Sequence, residues 1–262
     1  MDFKTIVLTK EGPIATLRLN RPEAYNALGQ DMGRELMEAV LDVKDDKAIR
    51  VLVFTGTGNA FSAGGDVKGF AARGDAVHQH IDRLAIYFHA FITHLVRMPK
   101  PVLGAINGVA AGAGLSMAMA CDVVLAKSDA VFTTAYSRIG ASPDGSMTYF
   151  LARSLGARRC MELYMTNRVL TARDAMEWGL VSRVSPPETF EQDVKALALE
   201  LANGPTVAYG KAKELFYHSV NNQLETQLEL EARAISECSR TEDFQNAVKA
   251  FAEKRKPEFK GR

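Results

Sequence analysis

The chain predicts an α/β domain in which strands and helices alternate, followed by a region that is helical almost to its end. Three observations carry this. β-Branched runs at residues 49–54, 102–106 and 122–127 each close on a turn or a glycine-rich segment. Around them, apolar residues recur at helical spacing, most regularly at Val77, Ile81, Leu84, Phe88, Phe91 and Leu95. From about residue 144 helical patterns dominate, interrupted by one strand-like run at residues 180–184. A sheet-containing core followed by helices is the architecture this order describes.

The opening reads as a hairpin, with residues 5–8 and 14–19 flanking Glu11-Gly12-Pro13. After Arg21-Pro22 breaks the strand, a helix starts near Gln30, with Met32, Leu36, Val40 and Val43 on one face. Strand 49–54 ends in Gly56-Thr-Gly-Asn59. The regular helix between Ala76 and Met98 is stopped by Pro99. Within it, His89 shares a stripe with Ala85, Ile92 and Val96 beside the main apolar face, which predicts a partly buried histidine. Residues 101–121 then run for twenty-one positions without a charge. That length could cross a bilayer. Its four glycines, Asn107 and Ser116 instead predict a buried strand, a glycine loop and a buried helix. Strand 122–127 and a short run at Val131-Phe132 follow. Further on, Thr171–Asp174 and Ser239–Glu242 both fit the start of a capped helix.

Composition narrows the function. The chain has 262 residues, is 47% hydrophobic and 24% charged, and carries a formal +1. A globular fold follows, with no overall charge to attract nucleic acid or an anionic membrane. The cysteines Cys121, Cys160 and Cys238 form no CxxC pair, and residues 1–12 lack the apolar run of a signal peptide. A cytoplasmic protein is expected.

Two glycine-rich loops, residues 56–66 and 107–114, each follow a strand. Glycine lets a ligand approach the backbone, and consecutive N–H groups at a helix start favour negative charge. Neither loop is a dinucleotide or P-loop fingerprint. There is no HExxH and no GxSxG. Asp144 sits in Ser142-Pro-Asp-Gly145, a turn sequence, and by itself reads as a solvated turn residue.

Taken together, the stretches 20–28 (NRPEAYNAL), 61–66 (FSAGGD), 101–112 (PVLGAINGVAAG), 120–122 (ACD), 170–181 (LTARDAMEWGLV) and 251–259 (FAEKRKPEF) resemble the crotonase superfamily of enoyl-CoA hydratases and isomerases. The resemblance is collinear over nearly the whole chain. It implies a crotonase-like spiral of ββα units over residues 1–200 and a helical C-terminal trimerisation region over residues 201–262. It also implies an acyl-CoA thioester substrate, no cofactor beyond the coenzyme A moiety of that substrate, no metal, and a homotrimer or hexamer. By position, the backbone N–H groups of Gly65 and Ala113 correspond to the family's oxyanion hole, which stabilises the enolate formed when a thioester loses an α-proton. Such a donor is worth about 3 kcal/mol.

Family hydratases carry two glutamates above that hole, and here the two positions read Ser116 and Tyr136. Water addition needs one group to activate water and another to protonate carbon, so this loss argues against hydration. Asp144 falls where related isomerases carry an acid. One such base is sufficient to move a proton from C2 to C4 of a 3-enoyl-CoA. The main rival is chemistry like that of 4-chlorobenzoyl-CoA dehalogenase, with Asp144 as nucleophile and His89 as base. Against it, Tyr136 replaces that enzyme's tryptophan and Gly65 its phenylalanine. Hydration ranks third, and a non-catalytic or RNA-binding scaffold last. By resemblance, Ala24, Ala63, Asp66 and Tyr136 lie at the substrate.

The last fourteen residues carry six basic and two acidic side chains, a local +4 that leaves −3 on the rest. The family resemblance assigns Phe251 and Lys254 to the coenzyme A nucleotide, often that of a neighbouring subunit. The remaining tail charges read as a solvated helix end.

Overall fold

The computed structural model describes residues 2–262. The predicted hairpin forms from β1 (Ile6–Glu11) and β2 (Ile14–Leu19), turning at Gly12 with φ +56°. Helix α1 (Gln30–Asp45) buries Met32, Leu36, Val40 and Val43 as its spacing predicted. β3 (Val51–Gly56), β5 (Val102–Ile106), β7 (Val123–Lys127) and β10 (Arg183–Ser185) extend the hairpin into a six-stranded sheet of order β1-β2-β3-β5-β7-β10. Every pairing after the first is parallel. β3 and β5 are covered on both faces, which is why they read as continuous apolar runs.

A second sheet, of order β4-β6-β8-β9, is built from β4 (Ala60–Ser62), β6 (Val109–Ala111), β8 (Val131–Thr133) and β9 (Leu170–Thr171). β3, β5 and β7 each lead into a strand of this sheet and then into helices. Those helices are α2 (Val67–Ala71) and α3 (Val77–Val96), then α4 (Ala113–Met119), then α5 (Met147–Leu155) and α6 (Ala157–Thr166). The chain therefore winds through three ββα units, as the resemblance implied. β4, β6 and β9 have no counterpart in the sequence reading, because two or three residues inside glycine-rich or turn segments show no period.

α1, α3 and α4 enclose the main core, where Phe54 meets Phe61 and Phe91 edge-on at 5.2 and 5.7 Å. On the opposite face of the first sheet, α8 (Phe190–Ala202) lays Phe190, Val194 and Leu197 against Val51, Val53 and Leu103. The remaining helices are α7 (Ala172–Glu177), α9 (Thr206–Ser219), α10 (Leu224–Ser239) and α11 (Glu242–Ala252). Lys213 of α9 fastens to the core through Asp122 Oδ2 at 2.7 Å and the Leu95 carbonyl at 3.1 Å. Among the described residues, no helix is long and apolar enough to cross a membrane. The uncharged window folds into β5, β6 and α4.

Three local expectations need correction. The apolar face of α3 is buried only from Leu84 onward, and Ile81 is 43% exposed. Gly33 of α1 seats against Leu84 and Tyr87, so the first turns of α3 project past the helix that covers the rest. The strand expected at residues 180–184 is β10, Arg183–Ser185, because the N–H groups of Leu180 and Val181 close the end of α7 on the Ala175 carbonyl. Thr171 and Asp174 form the expected reciprocal cap, but Ser239 ends α10. Thr241 caps α11 instead, accepting from Phe244 N.

Candidate active site

The first glycine loop is held by two buried asparagines. Asn26, left-handed at φ +56°, donates to the Thr57 and Ala60 carbonyls and accepts from Arg21 N. Asn107 donates to the Gly58 and Ala60 carbonyls and accepts from Gly56 N. Ser62 Oγ bridges the Asn26 carbonyl and Gly64 N. These bonds explain why the 20–28 and 101–112 stretches are needed to shape residues 56–66. Ala63 N donates to the Tyr25 carbonyl at 2.9 Å, so exposed Ala63 and half-buried Ala24 lie at adjoining loops. Asp66 caps α2 through Gly69 N and pairs with Arg21 at 3.0 Å. Burial opposes its charge, yet those bonds hold its carboxyl below the usual aspartate range. Its side chain is thus engaged within the protein.

The two glycine loops meet backbone to backbone. A Cβ on Gly64 would lie 2.8 Å from the Ala111 carbonyl oxygen and 3.4 Å from Ala113 N, and the Gly64 φ is +99°. A larger residue would push the loops apart. Ala113 is the first residue of α4, so its N–H has no intrahelical acceptor. Among the described residues, Gly65 N–H likewise has no backbone acceptor. Two unengaged donors therefore stand at adjacent loops.

One helical turn on from Ala113, Ser116 Oγ donates to the Asp144 carbonyl at 2.7 Å. Tyr136 OH donates to the same carbonyl at 3.1 Å, and the two hydroxyls lie 3.1 Å apart. Burial pushes the Tyr136 hydroxyl up to about 12, which keeps its proton available for donation. Two hydroxyls from distant segments thus clasp the main chain at Asp144. This role of Ser116 requires contact across 28 positions.

From the other side, Phe88 of α3 presses on Gly145. A Cβ there would lie 2.2 Å from the ring, and φ is +62°. With Phe88 buried beneath Gly145, the next residue reaches the acid: His89 Nε2 lies 2.5 Å from Asp144 Oδ1. A carboxylate has no proton to give, so Nε2–H is the donor. Among the described residues, Oδ2 has no hydrogen-bond partner. His89 is not partly buried as its stripe suggested; its side chain is 56% exposed, against 42% for Asp144. The stripe lies at the margin of the α3 core, and a polar ring there turns outward to its partner.

Asp144, His89, Ser116, Tyr136 and Ala113 are thus linked directly or through one turn of helix, with Gly65 on the adjoining loop. Phe251 and Lys254 make no hydrogen bond to this group among the described residues. Phe251 is 87% exposed on α11, and Lys254 follows in a left-handed turn with φ +55°.

A family profile described as "Enoyl-CoA hydratase/isomerase" matches residues 9–262. Over the full length of both chains, this one is 37% identical to a "Probable enoyl-CoA hydratase" of Rhodobacter capsulatus. It is 36% identical, again over all of both, to the "1,2-epoxyphenylacetyl-CoA isomerase" of Escherichia coli K12. It shares 37% with "4-chlorobenzoyl coenzyme A dehalogenase-2" of an Arthrobacter species, over 85% of this chain and 81% of that one. The solved structure of a "putative Enoyl-CoA hydratase/isomerase" from Mycobacterium abscessus superposes with a TM-score of 0.93. That match has 33% identity and covers 98% of this chain and 100% of the other.

Proposed function

Because the chain belongs to the enoyl-CoA hydratase/isomerase family of acyl-CoA-processing enzymes, we propose that it moves the double bond of a 3-enoyl-CoA to the 2-position. The observation that carries this reading is a single carboxylate, Asp144. Its main chain is clasped by the hydroxyls standing where hydratases have glutamates.

In this mechanism the thioester oxygen sits on the N–H groups of Gly65 and Ala113. Asp144 Oδ2 removes a proton from C2, and the electron pair flows into the thioester carbonyl to give an enolate conjugated with the C3–C4 double bond. The same carboxyl then returns the proton at C4, leaving the double bond between C2 and C3. No atom is gained or lost. The oxyanion donors stabilise charge that develops only after proton removal, each by about 3 kcal/mol. His89 holds Oδ1 so that Oδ2 points at both carbons in turn. The Ser116 and Tyr136 hydroxyls keep the turn from swinging away.

The reading includes a homotrimer or hexamer. The exposed Phe216, Leu224, Leu228 and Ile235 on α9 and α10 support burial against other copies. The exposure of Phe251 suits a ring that meets the nucleotide of a neighbouring subunit, with Lys254 beside it. A cytoplasmic location is part of the same proposal.

A second reading is favoured by the His89–Asp144 contact itself. Asp144 would attack an aromatic carbon bearing halide, expel the halide, and yield an aryl ester that His89-activated water hydrolyses. A panel of aliphatic and aromatic acyl-CoA thioesters, scored by product mass and double-bond position, tests both. Conversion of 3-enoyl-CoA to 2-enoyl-CoA supports the first. Chloride release from 4-chlorobenzoyl-CoA, with oxygen-18 from water in the product and dependence on both residues, would replace it.

A further inference from the structure

Gly65 carries no side chain, but the space beside it is filled. A Cβ on Gly65 would lie 3.0 and 3.1 Å from Cε2 and Cζ of Phe70, so the tip of that ring rests on the backbone of a proposed oxyanion donor. Phe70 is the large side chain that α2 turns inward, while Val67 and Lys68 face out. Its position is fixed from three sides. Phe70 N bonds the Asp66 carbonyl at 2.9 Å, Asp66 is itself held by Arg21, and the ring meets His80 of α3 edge-on at 5.9 Å. On α3, Val77 lies one turn before His80 and shares a face with it. Val77 is half-buried there, and Ile81, the residue after His80, is 43% exposed. The edge of the Phe70 ring thus adjoins the donor loop.

A thioester oxygen bonded to Gly65 N–H brings its first acyl carbons within a few ångströms of Gly65, and therefore of the Phe70 ring. We propose that Phe70 is a specificity-determining residue that selects acyl groups presenting a flat π-system near the thioester, an aryl ring above all, over flexible saturated chains. This rests on the acyl-CoA reading above. An offset or edge-on aromatic pair contributes beyond simple burial, which corresponds to about a 3- to 10-fold preference.

The test is calorimetric binding of two unreactive thioesters, phenylacetyl-CoA and hexanoyl-CoA, with free coenzyme A as reference. Wild type should bind the aryl thioester more tightly. Phe70→Leu should reduce the aryl-to-alkyl affinity ratio about 3- to 10-fold with free coenzyme A affinity unchanged. Phe70→Tyr, which keeps the ring, should preserve the ratio, and this holds the test open should Phe70→Leu fail to fold. An unchanged ratio in Phe70→Leu, or a ratio lost in a folded Phe70→Tyr, overturns the proposal while leaving the acyl-CoA reading standing. Failure of wild type to bind either thioester would overturn that reading itself, and this inference with it.

Discussion

His89 Nε2 and Asp144 Oδ1 stand 2.5 Å apart although 55 positions separate them in the chain. The contact depends on Phe88, whose ring occupies the space a side chain at residue 145 would need. α3 is thereby locked in rotation against the turn that carries the acid. Removing the His89 donor should lower kcat with little change in KM, since the group holds the carboxylate rather than the substrate. A hydrogen bond to a charged group is worth about 1.5–3 kcal/mol, so His89→Ala should lose about 10- to 100-fold in kcat for double-bond migration. His89→Gln, which can still donate, should recover part of it. Steady-state kinetics of both variants read this out.

Gly145→Ala should be severe. The substitution places a methyl group inside the Phe88 ring and imposes a residue with Cβ on φ +62°. Overpacking and left-handed strain together cost about 2–4 kcal/mol. Urea unfolding should show that loss, and adding Phe88→Ala should recover the steric share of it. The recovery appears as a non-additive double-mutant cycle.

Ser116→Ala and Tyr136→Phe each remove one donor from the Asp144 carbonyl and should each cost about 1 kcal/mol. Because the two hydroxyls also touch each other, the double variant should lose less than the sum. Placing a glutamate at residue 116 should not confer hydration, because Tyr136 supplies no second carboxylate. Assay of 2-enoyl-CoA hydration by Ser116→Glu checks this.

Glu35 gives a pH prediction away from the site. Burial opposes its charge, but bonds from the Thr5 hydroxyl, Thr5 N and Lys4 N outweigh it and hold the carboxyl below the usual glutamate range. A depressed folded value means stability present above about pH 4.3, the unfolded value, and lost as pH falls through the folded one. Urea midpoints should therefore fall more steeply with acid in wild type than in Glu35→Gln. A parallel loss in both would contradict it.

Much of the fold was legible because α1, the buried part of α3 and the parallel strands carry strong periods or continuous apolar runs. β4, β6 and β9 were not, since two or three residues in a turn have no period. At the site, the glycine loops and Asp144 were legible as motifs. His89 was legible only as a member of a stripe, and its outward turn depends on a partner, Asp144, that lies 55 positions away. The grip of Ser116 and Tyr136 on the Asp144 carbonyl, and the rest of Phe70 on Gly65, exist only once distant segments are brought together. The resemblance, which sets Ser116 and Tyr136 where hydratases are expected to carry glutamates, was the one advance sign of the first, and nothing in the chain marked the second.

The central claim is that Asp144 carries the proton between C2 and C4. The most direct measurement is the rate at which Asp144→Asn converts 3-enoyl-CoA to 2-enoyl-CoA, with thioester binding followed in the same preparation. The amide keeps the size of the side chain and can still meet His89, but it cannot accept the proton. A rate lower by about 10²- to 10⁴-fold, with binding preserved, is the predicted result. Wild-type turnover by Asp144→Asn would contradict it.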